Sequence, residues 1–236
     1  MFFVFAAFGV AMLIVWNILG YDVQKENAVK ESTSANKVSL KVLFTPVIIC
    51  VMLAIILQGM LRDGVQTWMP SYIKDTYNLG SAVSILTGVI LPVLSIITFK
   101  VAGLVYQKKL TNPMLCAGVI FGIGAASAIA LYFLSNAGAT FSVILSALLT
   151  GAMHGVNLIL ICMVPNYFKK YGNVSTVSGV LNACTYIGSA ASTYGIAVLS
   201  SKMGWTFTIL MWAVIAVAGT VICLINIKPW AKKFDE

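Results

Sequence analysis

Long apolar runs, each about the length of a bilayer crossing, constrain this chain more than any other feature. A membrane helix needs about 20 mostly apolar residues, and seven segments qualify: residues 2–19, 42–72, 81–105, 113–135, 141–164, 174–200 and 205–227. They are too long and too evenly apolar for transmembrane strands, which are shorter and alternate in polarity. Charge tells the same story. Only 9% of residues are charged, against roughly 25% in a soluble domain, so no charged surface large enough for a soluble enzyme, a nucleic-acid-binding domain or a disordered chain can be built. The expected fold class is an all-α membrane protein of seven transmembrane helices, with the lipid bilayer as its solvent. The first run has no basic leader and no small-residue cleavage pattern before Tyr21, so it is expected to stay in the protein as a span.

Lysine placement sets the expected orientation, because cytoplasmic loops carry the excess of basic residues. Lys25, Lys30, Lys37 and Lys41 follow the first span. Lys100, Lys108 and Lys109 mark the end of the third span and its loop. Lys169 and Lys170 follow the fifth, and Lys228, Lys232 and Lys233 end the chain. Only Lys74 and Lys202 fall on the other side. The lysine-rich side, with residues 20–41 and the C-terminus, is therefore expected in the cytoplasm of a cell whose plasma membrane the chain crosses many times. The net charge of +8 follows from this topology, and no nucleic-acid partner is needed to explain it. The five cysteines lie singly in apolar stretches without CxxC spacing, as small packing residues do.

One composition break divides the chain. Residues 20–41 are polar, mixed in charge and rich in Ser, Asn and Lys, as in a flexible linker; every other connection is short. The expected organisation is a helix over 1–19, a central linker over 20–41, six helices over 42–228 and a tail over 229–236. A seven-helix retinal protein would need a lysine inside its last span, and residues 205–227 contain none.

The run Leu61-Arg62-Asp63-Gly64-Val65-Gln66-Thr67-Trp68-Met69-Pro70-Ser71-Tyr72 resembles the R-x-G-x-x-x-W-x-P-x-Y run of the organophosphate:phosphate antiporters, a branch of the major facilitator superfamily. Gly179, Tyr186 and Gly188 are spaced like that family's run on helix eleven, and Gly204-Trp205 gives a weaker match. The resemblance covers the whole chain but only the second part of the family's length. It implies that the first span is helix six of a twelve-helix fold and the others helices seven to twelve. A missing N-terminal half would be the chain's partner, and the chain is expected to be a truncated product or a fragment. The stretch Gly103 to Lys109 sits where the superfamily has a Gly…Asp…Arg gating loop, and Gln107 replaces the acidic residue.

Arg62 is the only arginine and lies about 9 Å deeper than Trp68 at 1.5 Å per residue. Trp68 and Tyr72 read as an outer aromatic belt, which places Arg62 within the hydrocarbon on the outer side of the midplane. A guanidinium there costs at least about 2.5 kcal/mol and should face a cavity or a partner. It holds phosphate in a fork that lysine cannot copy, and the resemblance implies that it binds the substrate's phosphate. The plain alternative is a structural ion pair or a snorkelling side chain. Asp63 departs from the family pattern. It either cancels part of the anion site, carries a proton, or packs against a polar neighbour. His154, the only histidine, has Asn157 on the same face; the two could bind an anion or relay a proton, or merely bond between helices. Ser178, Asn182, Thr185, Tyr186, Ser189 and Thr193 form a polar stripe that must face protein or water, and the resemblance implies that Tyr186 reaches substrate. Gly118/Gly122 and Gly151/Gly155 read as packing motifs, and Pro92 as a kink.

The binding set is thus Arg62, Tyr186, His154, Asn157 and Asn182, with Asp63 as a proton-coupling candidate. No catalytic, metal-ligand or phosphate-cradling motif appears, so no cofactor is expected and transport would be driven by gradients. The expected function is secondary transport of a small anion, a phosphate ester exchanged for inorganic phosphate. The alternatives are a proton-coupled facilitator for a carboxylate, sugar or drug, a non-transporting sensor on the same fold, and a nonfunctional remnant.

Overall fold

The computed structural model describes residues 8–17, 45–171 and 174–234. The chain divides into two units, Met1–Val38 and Ser39–Glu236. In the first, helix α1 covers Phe8–Asn17; the expected linker over 20–41 lies outside the described residues. The second holds α2 (Pro46–Tyr77), α3 (Ser81–Lys108), α4 (Pro113–Leu134), α5 (Ala139–Asn157), α6 (Val174–Ile225) and α7 (Ile227–Phe234). There is no strand among the described residues. Helices α2 to α6 are each long and apolar enough to cross a membrane, α5 together with the turns that continue it. The fold is an all-α membrane fold.

Local chemistry marks the helix ends. Pro46 and Pro113 take first-turn positions, where a missing N–H is harmless. The Asn112 side chain accepts from the N–H groups of Met114 and Leu115 at 2.9 and 3.2 Å, a standard N-cap. Asn78 ends α2 in the left-handed region at φ 55°. Gly204 has φ 79°, a conformation that costs glycine nothing. There the 52 helical residues of α6 fold back on themselves, so that residues 191–199 and 208–215 line one crevice. The expected sixth and seventh spans are these two arms.

Helix α2 lies at the centre, packed against α6 and α5. Its approach to α6 is backbone to backbone. A Cβ on Gly59 would overlap the Thr185 carbonyl oxygen, and one on Gly188 would overlap that of Ile56. Helices α3 and α5 run in the same direction, with Gly151 against Thr98 and Gly155 against Ala102. Gly151 and Gly155 act as the packing motif that their spacing indicates.

Each end of the bundle is tied. At one end Tyr72 and Tyr77 share the Ser142 hydroxyl at 3.3 and 2.7 Å, Tyr77 donates to the Ser135 carbonyl, and Trp205 Nε1 donates to Asp75 at 3.1 Å. Tyr72 is therefore a core residue, 1% exposed, and not a belt residue as expected: its ring packs on Trp205 at 5.6 Å. At the lysine-rich end α7 buries Trp230 between Tyr167 and Phe234, at 5.3 and 4.4 Å. Asn226 donates to the Val47 carbonyl at 3.0 Å, and Lys233 to the Thr45 hydroxyl at 2.6 Å.

Candidate functional site

Arg62 stands at the midpoint of the 32-residue α2, farther from the helix end than expected, because α2 continues past Tyr72 to Tyr77. Its guanidinium is engaged on two sides. Nε and one terminal nitrogen donate to the two Asp63 carboxylate oxygens at 2.6 and 2.9 Å, and the other terminal nitrogen donates to Asn157 Oδ1 on α5 at 3.1 Å. Adjacent helical residues point about 100° apart, but the length of the arginine side chain spans that angle. The fork is thus filled by the chain's own carboxylate, with 18% and 26% of the two side chains still exposed. A charge pair is cheaper to hold in a membrane than a lone cation, provided its hydrogen bonds are satisfied.

The residues around the pair come from three helices. Ser189 of α6 offers its hydroxyl to Asp63, and the Gly59 and Gly188 approach is what brings α6 that close. His154 lies within electrostatic reach of both Arg62 and Asp63. Its Nδ1 is 2.9 Å from the Thr150 carbonyl. A carbonyl only accepts, so Nδ1 carries the proton and Nε2 is left as the acceptor. Immediately beyond Asn157, α5 loosens into a π-helical stretch, Leu158–Met163, and then a 3₁₀ stretch, Val164–Tyr171. π segments inside helices often accompany functional sites.

Arg62, Asp63, Asn157 and His154 are therefore brought together. Tyr186 and Asn182 are not hydrogen-bonded to them; both are exposed on the α6 face that carries Ser189, one and two turns away. The expected stripe splits, since Thr185 is buried against Gly59 with no partner for its hydroxyl.

Two residues escaped the sequence reading. Gln58 is fully buried one turn from Arg62. Its amide donates to the Met153 carbonyl at 3.0 Å while its oxygen lacks a partner. A lone amide inside an apolar run was the available signal. Lys100 is the other. It was expected at the end of the third span, yet α3 continues to Lys108, so Lys100 lies eight residues, about 12 Å, inside the helix. The lysine asymmetry rests on the remaining lysines. A cavity of about 350 Å³ is lined by Phe99, Lys100, Gly103 and Gln107 of α3 and by Leu158 and Met163. A second, of about 310 Å³ between α3, α4 and α5, is apolar apart from Thr98 and holds none of the candidate residues.

Comparison with known proteins gives one family match. The family model described as Major Facilitator Superfamily matches residues 1–193. No curated protein and no solved structure matches the chain.

Proposed function

Because the chain belongs to the major facilitator superfamily, and so to a family of secondary transporters, we propose that its cargo is a small anion recognised around Arg62. The observation that carries this reading is the Arg62–Asp63–Asn157 cluster at the middle of α2 and beside the irregular turn of α5. The π-helical stretch that begins one residue after Asn157 sets the cluster beside irregular backbone of the kind that often accompanies functional sites. The Leu61–Tyr72 run supports a phosphate ester, exchanged for inorganic phosphate, as the substrate class. Its phosphate would displace the Asp63 carboxylate from the guanidinium, which then binds two phosphate oxygens in the same fork. Tyr186, Asn182 and His154 would complete the site, and a second helical body would close it from the exposed face of α6. Alternating access would come from rocking one body against the other.

The pair itself favours a second reading, proton-coupled anion uptake. With Asp63 ionised, the fork is filled and the pair is neutral. A proton on Asp63 frees the guanidinium, so anion and proton would bind together. The bare Nε2 of His154, within electrostatic reach of Asp63, would be the group that takes that proton on.

Both readings meet the same assay, uptake into vesicles carrying the intact polypeptide. Phosphate exchange predicts uptake only with phosphate on the far side. Proton coupling predicts uptake driven by an inward proton gradient without it, lost in Asp63→Asn. Arg62→Lys keeps the charge and removes the fork; uptake should fall at least tenfold. Unchanged uptake in Arg62→Lys removes Arg62 as the anion grip.

A further inference from the structure

Arg62 is not the only cation at mid-depth along the spans. The register of α3 against α5 fixes the depth of Lys100. Thr98 faces Gly151 and Ala102 faces Gly155, so Lys100, midway between them, is level with residues 152–154 of α5. That is the centre of the 31-residue span Ala139–Lys169 and the layer that holds His154. The two cations differ in one respect. The Arg62 fork is filled by Asp63, whereas Lys100 is exposed and has no carboxylate partner among the described residues.

An unpaired ammonium at mid-depth is costly in hydrocarbon. The α3 face that carries it therefore meets water or protein, although its neighbours Ile96, Ile97, Val101 and Leu104 are exposed and apolar. The open groove beside Lys100 is where water would reach it. It reaches from Lys100 past Gly103 to Gln107, near the lysine-rich end, with Leu158 and Met163 of the π stretch as its other wall. Its volume of about 350 Å³ is far more than one water molecule needs. The groove thus runs from the lysine-rich end past an amide to Lys100, and Leu158 of its other wall follows directly on the Asn157 that holds Arg62.

We propose that Lys100 is a second anion-binding residue, taking a small phosphate-bearing or other oxyanionic solute from the lysine-rich side before or while it engages Arg62. Lysine suits this role as a mobile point charge that holds an anion without locking its geometry. The Gln107 amide, which lines the same groove, would offer a hydrogen bond on the way. The inference rests on the anion-transport reading, but it assigns the free charge to α3 and not to α2.

The test measures inorganic phosphate binding by the intact polypeptide in nanodiscs, once in zwitterionic lipid alone and once with anionic lipid. Lys100→Gln should weaken phosphate binding tenfold or more in both lipids, with the melting temperature unchanged, and Lys100→Arg should stay within threefold of the original. If Lys100→Gln binds phosphate normally while Arg62→Gln does not, the inference fails and the Arg62 site stands. If Lys100→Gln loses binding while Arg62→Gln keeps it, Lys100 stands and the Arg62 grip fails. If Lys100→Gln abolishes only a stabilisation by anionic lipid, the ammonium serves a lipid headgroup and the proposal is overturned. Accessibility supplies a readout that needs no phosphate. In a Cys162→Ser background, Lys100→Cys should react with a charged, membrane-impermeant thiosulfonate added at the lysine-rich side; absence of reaction overturns the water-filled path.

Discussion

Helices α2 and α3 each cross the bundle with one cation near the middle, and almost everything else about them differs. α2 is held on several sides, glycine to backbone against α6, and its arginine is neutralised by the next residue. α3 sits at the edge, is the least buried of the spans, and leaves its lysine exposed. Burial explains the contrast. Where a cation is enclosed by protein, neutrality and a full set of hydrogen bonds come with it. Where it opens onto a cavity, water can solvate it and no partner is required. The enclosed charge is pre-organised and already occupied; the open charge is available. On the proposed anion-transport reading, the first would be a switch and the second a first contact.

The contrast is tested most severely where α2 meets α6. Gly59→Ala puts a methyl against the Thr185 carbonyl oxygen, and Gly188→Ala puts one against that of Ile56. Both obstacles are backbone, which cannot rotate away, so the helices must separate. Overpacking of this kind costs about 1–3 kcal/mol and occasionally more, and it also draws Ser189 away from Asp63. Each variant should lose several degrees in thermal unfolding in detergent, and Gly188→Leu should yield no monodisperse protein. Normal melting of both alanine variants would show that the α2–α6 approach is looser than this geometry.

Removing the carboxylate comes next. Asp63→Ala leaves Arg62 with Asn157 alone, and an uncompensated, partly buried charge should cost about 1–3 kcal/mol. Lys100→Gln removes a charge that pairs with nothing described and should change stability by less than about 0.5 kcal/mol. Equal melting shifts for the two would erase the distinction between a paired and an open cation. A smaller loss, about 1 kcal/mol, is expected for Trp205→Phe, which deletes the bond to Asp75 while keeping the ring against Tyr72; thermal unfolding again reads it.

The sequence revealed these two helices unequally, for physical reasons. The long apolar helices and the division of α6 near Gly204 follow from hydrophobic length, a local property. Arg62 stood out because it is a single arginine inside an apolar run. Its pairing with Asp63 was not legible, since helical spacing separates neighbours by about 100° and only the reach of the actual side chain closes the gap. Tyr72 was misplaced for a related reason. A tyrosine near a span end suits an interface, but α2 continues for another turn and carries the ring inward onto Trp205. Lys100 was hidden by a boundary: within ten residues of a lysine pair it reads as part of the lysine-rich end of the span, and only the register against Gly151 and Gly155 gives its depth. Asn182 and Tyr186 remain on a face that nothing in the described chain covers, so their part depends on what meets that face.

The same glycine-to-alanine change at Gly103 of α3 should have the smallest effect and the opposite sign. A Cβ there would lie 3.3 Å from Leu158 Cδ2, the far end of a side chain that can shift by a few tenths of an ångström. Against that small strain stands the helix preference of alanine over glycine, about 1 kcal/mol in a helix interior. The net expectation is unchanged melting or a gain of up to about 1 kcal/mol, where Gly59→Ala loses more than that. Because Gly103 also lines the Lys100 cavity, the added methyl should narrow the path without touching its charge. Phosphate affinity should then fall far less than in Lys100→Gln, by no more than about twofold, while entry slows. A loss of stability comparable to that of Gly59→Ala would mean that α3 is held as rigidly as α2, and the division between an enclosed and an open helix would not stand.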